Sequence, residues 1–198
     1  MRPEIVPIIL AGGEGLRLRP LTGKKRPKPF LKAFSEHSLL QQTLLRARAF
    51  APPVIVPHRD FAPRARKEAQ AFKIKPAGII AEPCRRNTAA AVAAAAFFLK
   101  ERNPLMVVLP TDHWVEDAEV FQDSILTAAH LAAQPGIVAI LGKAPSSPET
   151  QYGYIRTKGS ELHLEAFIEK PDAFHALALL KTPGVFWNTG IFICRVKT

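Results

Sequence analysis

The sequence contains few cysteines and no long apolar run. Of its 198 residues only Cys84 and Cys194 are cysteines, too few for a disulfide framework and without the spacing of a zinc site. No apolar stretch reaches the roughly 18 residues that a membrane helix needs. The short one near the N-terminus, IVPIIL, runs into glycines and not into the cleavage site of a signal peptide. We therefore expect a reduced, cytoplasmic protein without a membrane contact.

Acidic residues are scarce in the first part of the chain. Residues 1–75 contain 16 Lys and Arg against 5 Asp and Glu, a net charge of +11, whereas residues 76–198 contain 11 against 12, a net charge of −1, which together give the +10 of the chain. No helix-turn-helix, zinc-finger or RNP-type pattern is present, and the aromatic residues are not interleaved with basic ones. The charge therefore favours small polyanions, such as nucleoside triphosphates and sugar phosphates, over nucleic acid. Arg64, Arg66 and Lys67 are interpreted as a solvated face.

Short apolar runs alternate with helical patterns along the chain. Continuous apolar runs are typical of strands buried on both faces, and they predict strands at 5–10, 53–57, 78–81, 105–110 and 137–142. Helices are predicted between them at 38–50, 60–72, 88–102 and 119–133, the third with Asn87 or Thr88 as its N-cap. The alternation predicts an α/β fold with a largely parallel sheet and helices on both faces. After residue 150, YGYIRT, LHLEAFIEK and GIFICRV predict a mixed or antiparallel extension.

Polar segments follow several of the predicted strands. They are the glycine loop after the first strand, EPCRRNTAA after the strand at 78–81, PTDHW after residues 105–109 of the fourth strand, and EKP after Ile168. In open α/β sheets, ligands bind outside the carboxyl ends of the strands. The segments together therefore predict a ligand site at that edge.

The glycine loop contains Gly12, Gly13 and Gly15, and six basic residues follow it up to Lys28. It fits neither the Walker A pattern nor G-x-G-x-x-G, so neither an ordinary kinase nor a dinucleotide oxidoreductase is indicated. Glycines still let backbone N–H groups approach phosphate oxygens. Arg17 can bind two of these oxygens and Lys28 can add a point charge. The alternative is a tight turn with basic residues on the surface.

Two acidic residues are candidates for binding a metal ion and a nucleotide base. Asp112 directly follows a buried strand, and such a carboxylate suits Mg²⁺, which binds one or two carboxylates plus substrate phosphates. The alternative for Asp112 is a turn cap. Glu82 can accept hydrogen bonds from the two adjacent donors on the guanine edge. Trp187 is expected to pack and not to stack on a ligand.

Six segments, in order over nearly the whole chain, resemble the sugar-nucleotide pyrophosphorylases. They are LAGGEGLRLRPLTGKKRPKPFL, EPCRRNTAAAVAAAA, LPTDHWVED, TQYGYI, FIEKPD and WNTGIF. The first resembles the signature G-G-x-G-[TS]-R-L-x-P-L-[TS] followed by P-K-x-F. The others resemble one branch, the mannose-1-phosphate guanylyltransferases. Leu16 departs from the Thr or Ser of the signature, and Arg19 and Pro29 depart from the Trp and Gln common in that branch.

The resemblance implies a Rossmann-like, GT-A-like nucleotidyltransferase domain over residues 1–198, truncated on its C-terminal side. It implies transfer of a nucleotidyl group from a nucleoside triphosphate, GTP in this branch, to a sugar 1-phosphate, mannose 1-phosphate in this branch. Mg²⁺ is the implied cofactor and pyrophosphate the second product. One alternative is a glucose-1-phosphate thymidylyl- or uridylyltransferase, which Arg19 and PLTG favour and EPCRRNTAA and WNTG disfavour. The other is a nucleotide-sugar-binding homologue with weakened catalysis. The sequence leaves the oligomeric state open, a homo-oligomer included.

The resemblance also implies the roles of individual residues. Arg17 and Lys28 would face the triphosphate, and Lys170 would meet the sugar phosphate. Asp112 would hold Mg²⁺ with a second aspartate that the family has beyond residue 198, so we expect stronger nucleotide binding than turnover. The nucleotide-binding set is Leu10, Ala11, Gly12, Gly13, Gly15, Arg17, Lys28, Glu82, Asn87 and Thr88. The sugar-phosphate set is Gly153, Glu169, Lys170 and Asn188.

Overall fold

The computed structural model describes residues 4–13, 15, 18–23, 26–84, 87–158 and 162–198. The chain divides into two units. The first comprises residues 1–139 and 192–198, and the second comprises residues 140–191. No helix in the described part of the chain is long and apolar enough to cross a membrane.

The first unit contains a parallel sheet. Its strands are β1 (Ile5–Ala11), β2 (Val54–Pro57), β3 (Gly78–Ile79) and β4 (Leu105–Pro110). They lie in the order β3-β2-β1-β4, and all three neighbouring pairs are parallel. The end of a later strand, residues 192–195, is antiparallel to β4. The predicted mixed sheet, mostly parallel in this unit, is confirmed.

In the part of the unit that the structure describes, the sheet is flanked by α1 (Leu39–Ala47), α2 (Ala62–Gln70), α3 (Asn87–Leu99) and α4 (Ala118–Ala132). One face of the sheet, including Val6 and Ile8 of β1, packs on the buried small residues of α3. Ile5 and Ile9 alternate with them, so they point to the opposite face, and they are buried as well. Helix α1 begins with a capping box made by Ser38 and Gln41, and it contacts β1.

The second unit is built around antiparallel strands. It contains residues 140–143 of β5 (Val138–Lys143), then β6 (Gly153–Thr157), β7 (Leu164–Glu169), α5 (Ala173–Leu180) and the first part of β8 (Val185–Arg195). Strand β6 is antiparallel to β7 and to β8. Tyr154, Ala176, Val185 and Trp187 form its buried cluster, as expected for a packing role of Trp187.

Several elements differ from the predicted ones. Strand β3 has two residues, although four were predicted. A 3₁₀ turn at Arg59–Phe61 precedes α2, where the predicted helix already began at residue 60. Helix α5 was not predicted, because its sequence AFHALALL shows no polar face. Its signal is Asp172, whose carboxylate accepts a hydrogen bond of 2.9 Å from the backbone N–H of His175.

Candidate active site

The end of β1 places Gly12 against Glu82. A Cβ atom added at Gly12 would lie 2.5 Å from Oε2 of Glu82, so the carboxylate occupies the space that any larger residue would need. The backbone of Glu82 is held on both sides, since its N–H donates to the carbonyl of Pro57 and its own carbonyl accepts from Arg59, each at 2.9 Å. Glu82 therefore has a fixed backbone and a carboxylate directed at the glycine loop.

Gly15 brings the loop to Lys28. Its φ is +69°, a conformation that favours glycine, and an added Cβ would lie 2.7 Å from Cβ of Lys28. The carbonyl of Gly15 accepts from the hydroxyl of Thr22 at 2.5 Å and from the N–H of Leu18 at 2.9 Å. The buried Thr22 thus fixes the turn that carries the loop. Any larger side chain at residue 15 would push Lys28 away.

Lys28 forms an ion pair with Asp112, which follows β4. Lys28 lies in a 3₁₀ turn, Lys28–Phe30, in which Pro29 and Phe30 are buried, so the backbone of the turn is anchored in the core. The two side chains are 24% and 37% exposed, which leaves both within reach of a ligand. Strands β1 and β4 are parallel neighbours, and for this reason the loops that follow them meet at one edge of the sheet.

Electrostatics keep Asp112 ionised. Burial alone would raise the pKa of Asp112, but the hydrogen bond and the charge of Lys28 outweigh burial and hold the pKa below its ordinary value of 3.8. The pKa of the neighbouring His113 is also lowered, which for a histidine favours the neutral form. Burial lowers its pKa below 6.5, and the cations Arg46 and Lys28 add to that effect against the attraction of Asp112. At neutral pH the loop therefore presents a carboxylate beside a neutral imidazole.

Helix α3 begins in the segment that follows β3. Asn87 and Thr88 form its first turn and are exposed. Asn87 has a φ of 62°, which is the left-handed conformation that asparagine adopts more readily than most residues. Such a backbone costs free energy and is more common at functional sites than elsewhere. The N–H groups of the first turn can meet an anion or a base.

The predicted sugar-phosphate residues all lie in the second unit, which brings three of the four together. Gly153 and Glu169 are partners across β6 and β7, and an added Cβ at Gly153 would lie 3.0 Å from Oε2 of Glu169. Lys170 forms an ion pair with Glu169 and has a φ of 44°. Asn188 accepts through Oδ1 from the N–H of Gly190 at 2.9 Å, and its amide nitrogen can donate to a ligand.

The donor set fits a hard cation only in part. An ionised carboxylate oxygen, as Asp112 provides, is the ligand that Mg²⁺ prefers. Among the described residues, no three His, Cys, Asp or Glu side chains are grouped to hold a metal. Mg²⁺ would therefore depend on Asp112 together with oxygens of the substrate phosphates.

Two threonines that support the site were not predicted from the sequence, and one predicted residue lies outside the described residues. Arg17 falls in a gap between the described ranges. Leu10 and Ala11 end β1, and Thr111 donates its hydroxyl to the carbonyl of Leu10 at 3.4 Å. Thr22 thus supports the glycine loop beside Lys28, and Thr111 links the segment of Asp112 to the end of β1. The sequence did indicate them indirectly, since Thr22 lies in the glycine-loop segment and Thr111 lies in LPTDHWVED.

The fold and the site define a class of protein: an α/β protein whose strand ends carry a glycine loop, a lysine and a carboxylate suited to a bound phosphate compound. The chain belongs to the nucleotidyl transferase family, whose model matches residues 6–198. Xanthan biosynthesis protein XanB of Xanthomonas campestris pv. campestris is 39% identical over an alignment of 200 positions, which covers 98% of this chain and 43% of that protein.

Two further comparisons agree with this family. A mannose-1-phosphate guanylyltransferase of Sinorhizobium fredii is 36% identical over an alignment of 208 positions, which covers 100% of this chain and 40% of that protein. The crystal structure of a protein described as mannose-1-phosphate geranyltransferase from Thermus thermophilus matches with a TM-score of 0.85 at 36% identity, covering 99% of this chain and 58% of that one. The chain thus spans less than half the length of the curated relatives it matches.

Proposed function

We propose that the chain transfers a nucleotidyl group from a nucleoside triphosphate, GTP, to a sugar 1-phosphate, mannose 1-phosphate, with release of pyrophosphate. The Lys28–Asp112 ion pair beside Gly15 is the observation that carries the proposal. It joins a cation suited to the triphosphate and a carboxylate suited to its metal at the carboxyl ends of β1 and β4. The choice of guanine and mannose follows the relative from Sinorhizobium fredii, which is named as a mannose-1-phosphate guanylyltransferase.

The reaction needs little covalent chemistry from the protein. An oxygen of the sugar phosphate attacks the α-phosphorus and forms the new P–O bond, while the bond between the α-phosphorus and the pyrophosphate oxygen breaks. Both substrates are anions, so the first requirement is neutralisation of their charge. Lys28 and Arg17 would bind the phosphates of the nucleotide, and Lys170 would bind the phosphate of the sugar. Catalysis then rests on orientation and on fixed charges.

Mg²⁺ is the cofactor that we propose for this reaction. When bound, it would supply a Lewis acid that reduces the negative charge of the triphosphate. Asp112 would hold it, and Lys28 would turn from Asp112 to a phosphate oxygen. In the absence of ligands, the ion pair would thus hold Lys28 and Asp112 at the place where the nucleotide and Mg²⁺ bind.

Glu82 is proposed to read the base. A carboxylate accepts hydrogen bonds from both guanine donors, whereas uracil, thymine and adenine present other patterns. The fixed backbone of Glu82 and its contact with Gly12 restrict where the carboxylate can lie. In the second unit, Glu169 can accept from sugar hydroxyls and Asn188 can donate to them.

The test is an initial-rate assay of pyrophosphate release with each of GTP, ATP, UTP and dTTP. Each nucleotide is paired with mannose 1-phosphate and with glucose 1-phosphate, with Mg²⁺ or with a chelator. The proposal expects the highest kcat/KM for GTP with mannose 1-phosphate, and loss of activity with the chelator. A clear preference for dTTP or UTP with glucose 1-phosphate would assign the chain to the alternative activity. Nucleotide binding without release from any pair would favour a non-catalytic homologue.

A further inference from the structure

An exposed aromatic pair lies beside the Lys28–Asp112 ion pair. Phe34 follows the 3₁₀ turn that carries Lys28, and Trp114 follows Asp112 by two residues. Their ring centroids are 5.4 Å apart, with an interplanar angle of 59°. This is within the range of favourable aromatic pairs. Yet Phe34 and Trp114 are 58% and 57% exposed, so neither ring contributes much to the core.

The pair joins two segments that contain no regular secondary structure. Residues 31–38, which follow the turn of Lys28, and residues 111–117 are described throughout, and neither range contains a helix or a strand. Segments of this kind take their shape from side-chain contacts. The Phe34–Trp114 ring pair links the two segments directly, and the Lys28–Asp112 ion pair links the second segment to the turn that precedes the first.

Only one of these two contacts is independent of the substrates. Under the proposed function, Lys28 turns to the phosphates of the nucleotide and Asp112 to the metal, so their direct ion pair is given up when the site fills. The ring pair carries no charge and has no such competitor. It can therefore hold the two segments opposite each other at the stage when the ion pair no longer does.

We propose that Phe34 and Trp114 are positioning residues that keep Lys28 and Asp112 at the distance which the metal-bound triphosphate requires. This inference rests on the proposed function. Its consequence is specific: loss of the ring pair makes the carboxylate of Asp112 less well placed for the metal. The demand for Mg²⁺ should then rise, while the fold remains stable.

The experiment compares the wild-type chain with Phe34→Ala, Trp114→Ala, the double variant and Trp114→Phe. Phe97→Ala is the control, because Phe97 is 72% exposed and lies near the end of α3 away from Asn87. Pyrophosphate release is measured over a range of Mg²⁺ concentrations, and GTP binding in the presence of Mg²⁺ is measured by calorimetry. Thermal unfolding of each variant is recorded alongside.

Each Ala variant should need about 3- to 10-fold more Mg²⁺ for half-maximal rate and bind GTP with Mg²⁺ more weakly by a similar factor. The double variant should be no worse than the more affected single variant, because either change removes the whole pair. Trp114→Phe should stay close to wild type, since it keeps an aromatic ring. The control and all melting temperatures should be unchanged.

Three results would overturn the inference. An unchanged Mg²⁺ requirement in both Ala variants would mean that the pair positions nothing. An equal loss of activity at every Mg²⁺ concentration, with a lower melting temperature, would make the pair merely structural. Wild-type chain that neither binds GTP nor releases pyrophosphate would refute the proposed function, and the inference with it. If wild type binds GTP but turns it over slowly, the calorimetric affinities decide.

Discussion

Lys28 is the residue on which the proposed site depends most. Its ammonium group faces Asp112 in the structure and would neutralise charge on the triphosphate during transfer. Lys28→Ala should therefore lower kcat/KM by about 100-fold or more, the size of loss seen when one group that stabilises developing charge is removed. Lys32→Ala, an exposed lysine in the next segment, is the matched control. Initial rates near wild type for Lys28→Ala would remove Lys28 from the mechanism.

Glu82 offers a test of base choice. Glu82→Gln replaces one of two accepting oxygens by an amide nitrogen, which only donates. GTP should lose more kcat/KM than ATP or UTP does, because only guanine presents two adjacent donors. Glu101→Gln, in which the altered side chain is 88% exposed, serves as the control. Equal losses for all three nucleotides would show that Glu82 has another role.

Substitutions of Lys170 can distinguish an effect on stability from an effect on substrate binding. Its φ of 44° is unfavourable for a side chain with a Cβ, and the following Pro171 restricts it further. Lys170→Gly and Lys170→Ala both remove the ammonium group, so both should raise the KM for the sugar phosphate. Only glycine relieves the backbone conformation, so Lys170→Gly should melt at a higher temperature than Lys170→Ala. Melting curves in the reverse order would contradict a strained backbone at this position.

At the scale of elements, apolar runs were enough to predict β1, β2 and β4, and the structure confirms them. Their parallel arrangement also explains why the residues that follow β1 and β4 lie together. The sequence could not show that Lys28 pairs with Asp112, because 84 residues separate them and only the neighbouring positions of β1 and β4 bring them close. It also could not show the left-handed backbone of Lys170, because a lysine rarely adopts that conformation.

Helix α5 is an element whose stability should depend on pH. Asp172 caps it, and the hydrogen bonds from the backbone and ring of His175 hold the pKa of Asp172 below its ordinary value of 3.8. The unfolded chain therefore binds this proton more tightly than the folded chain. The contribution of the cap is complete above pH 3.8 and is lost as the pH falls below it.

Asp172→Asn keeps a side chain that can cap the helix but does not titrate. Between pH 4 and pH 2 the melting temperature of the wild type should fall more steeply than that of Asp172→Asn. Circular dichroism at a series of pH values measures both. Parallel curves for the two proteins would show that the carboxylate of Asp172 does not contribute in this way.

At the scale of the whole molecule, the distribution of charged residues is consistent with the proposed reaction. The first 75 residues carry the basic excess of the chain, and they include the glycine loop and Lys28. The second unit contains Glu169 and Lys170, which form an ion pair, and Asn188 on β8. The proposed reaction requires two anionic substrates, and we propose that the basic first segment binds the nucleotide and that these three residues bind the sugar phosphate.

The most direct test of the central claim is to observe the products. The chain is incubated with GTP, mannose 1-phosphate and Mg²⁺, and the phosphorus resonances are followed by ³¹P NMR. The account predicts that the resonances of a nucleoside diphosphate sugar and of pyrophosphate grow together in equal amounts, and that added pyrophosphate reverses the change. Release of inorganic phosphate with GDP, or unchanged spectra with every nucleotide and sugar phosphate tried, would contradict it.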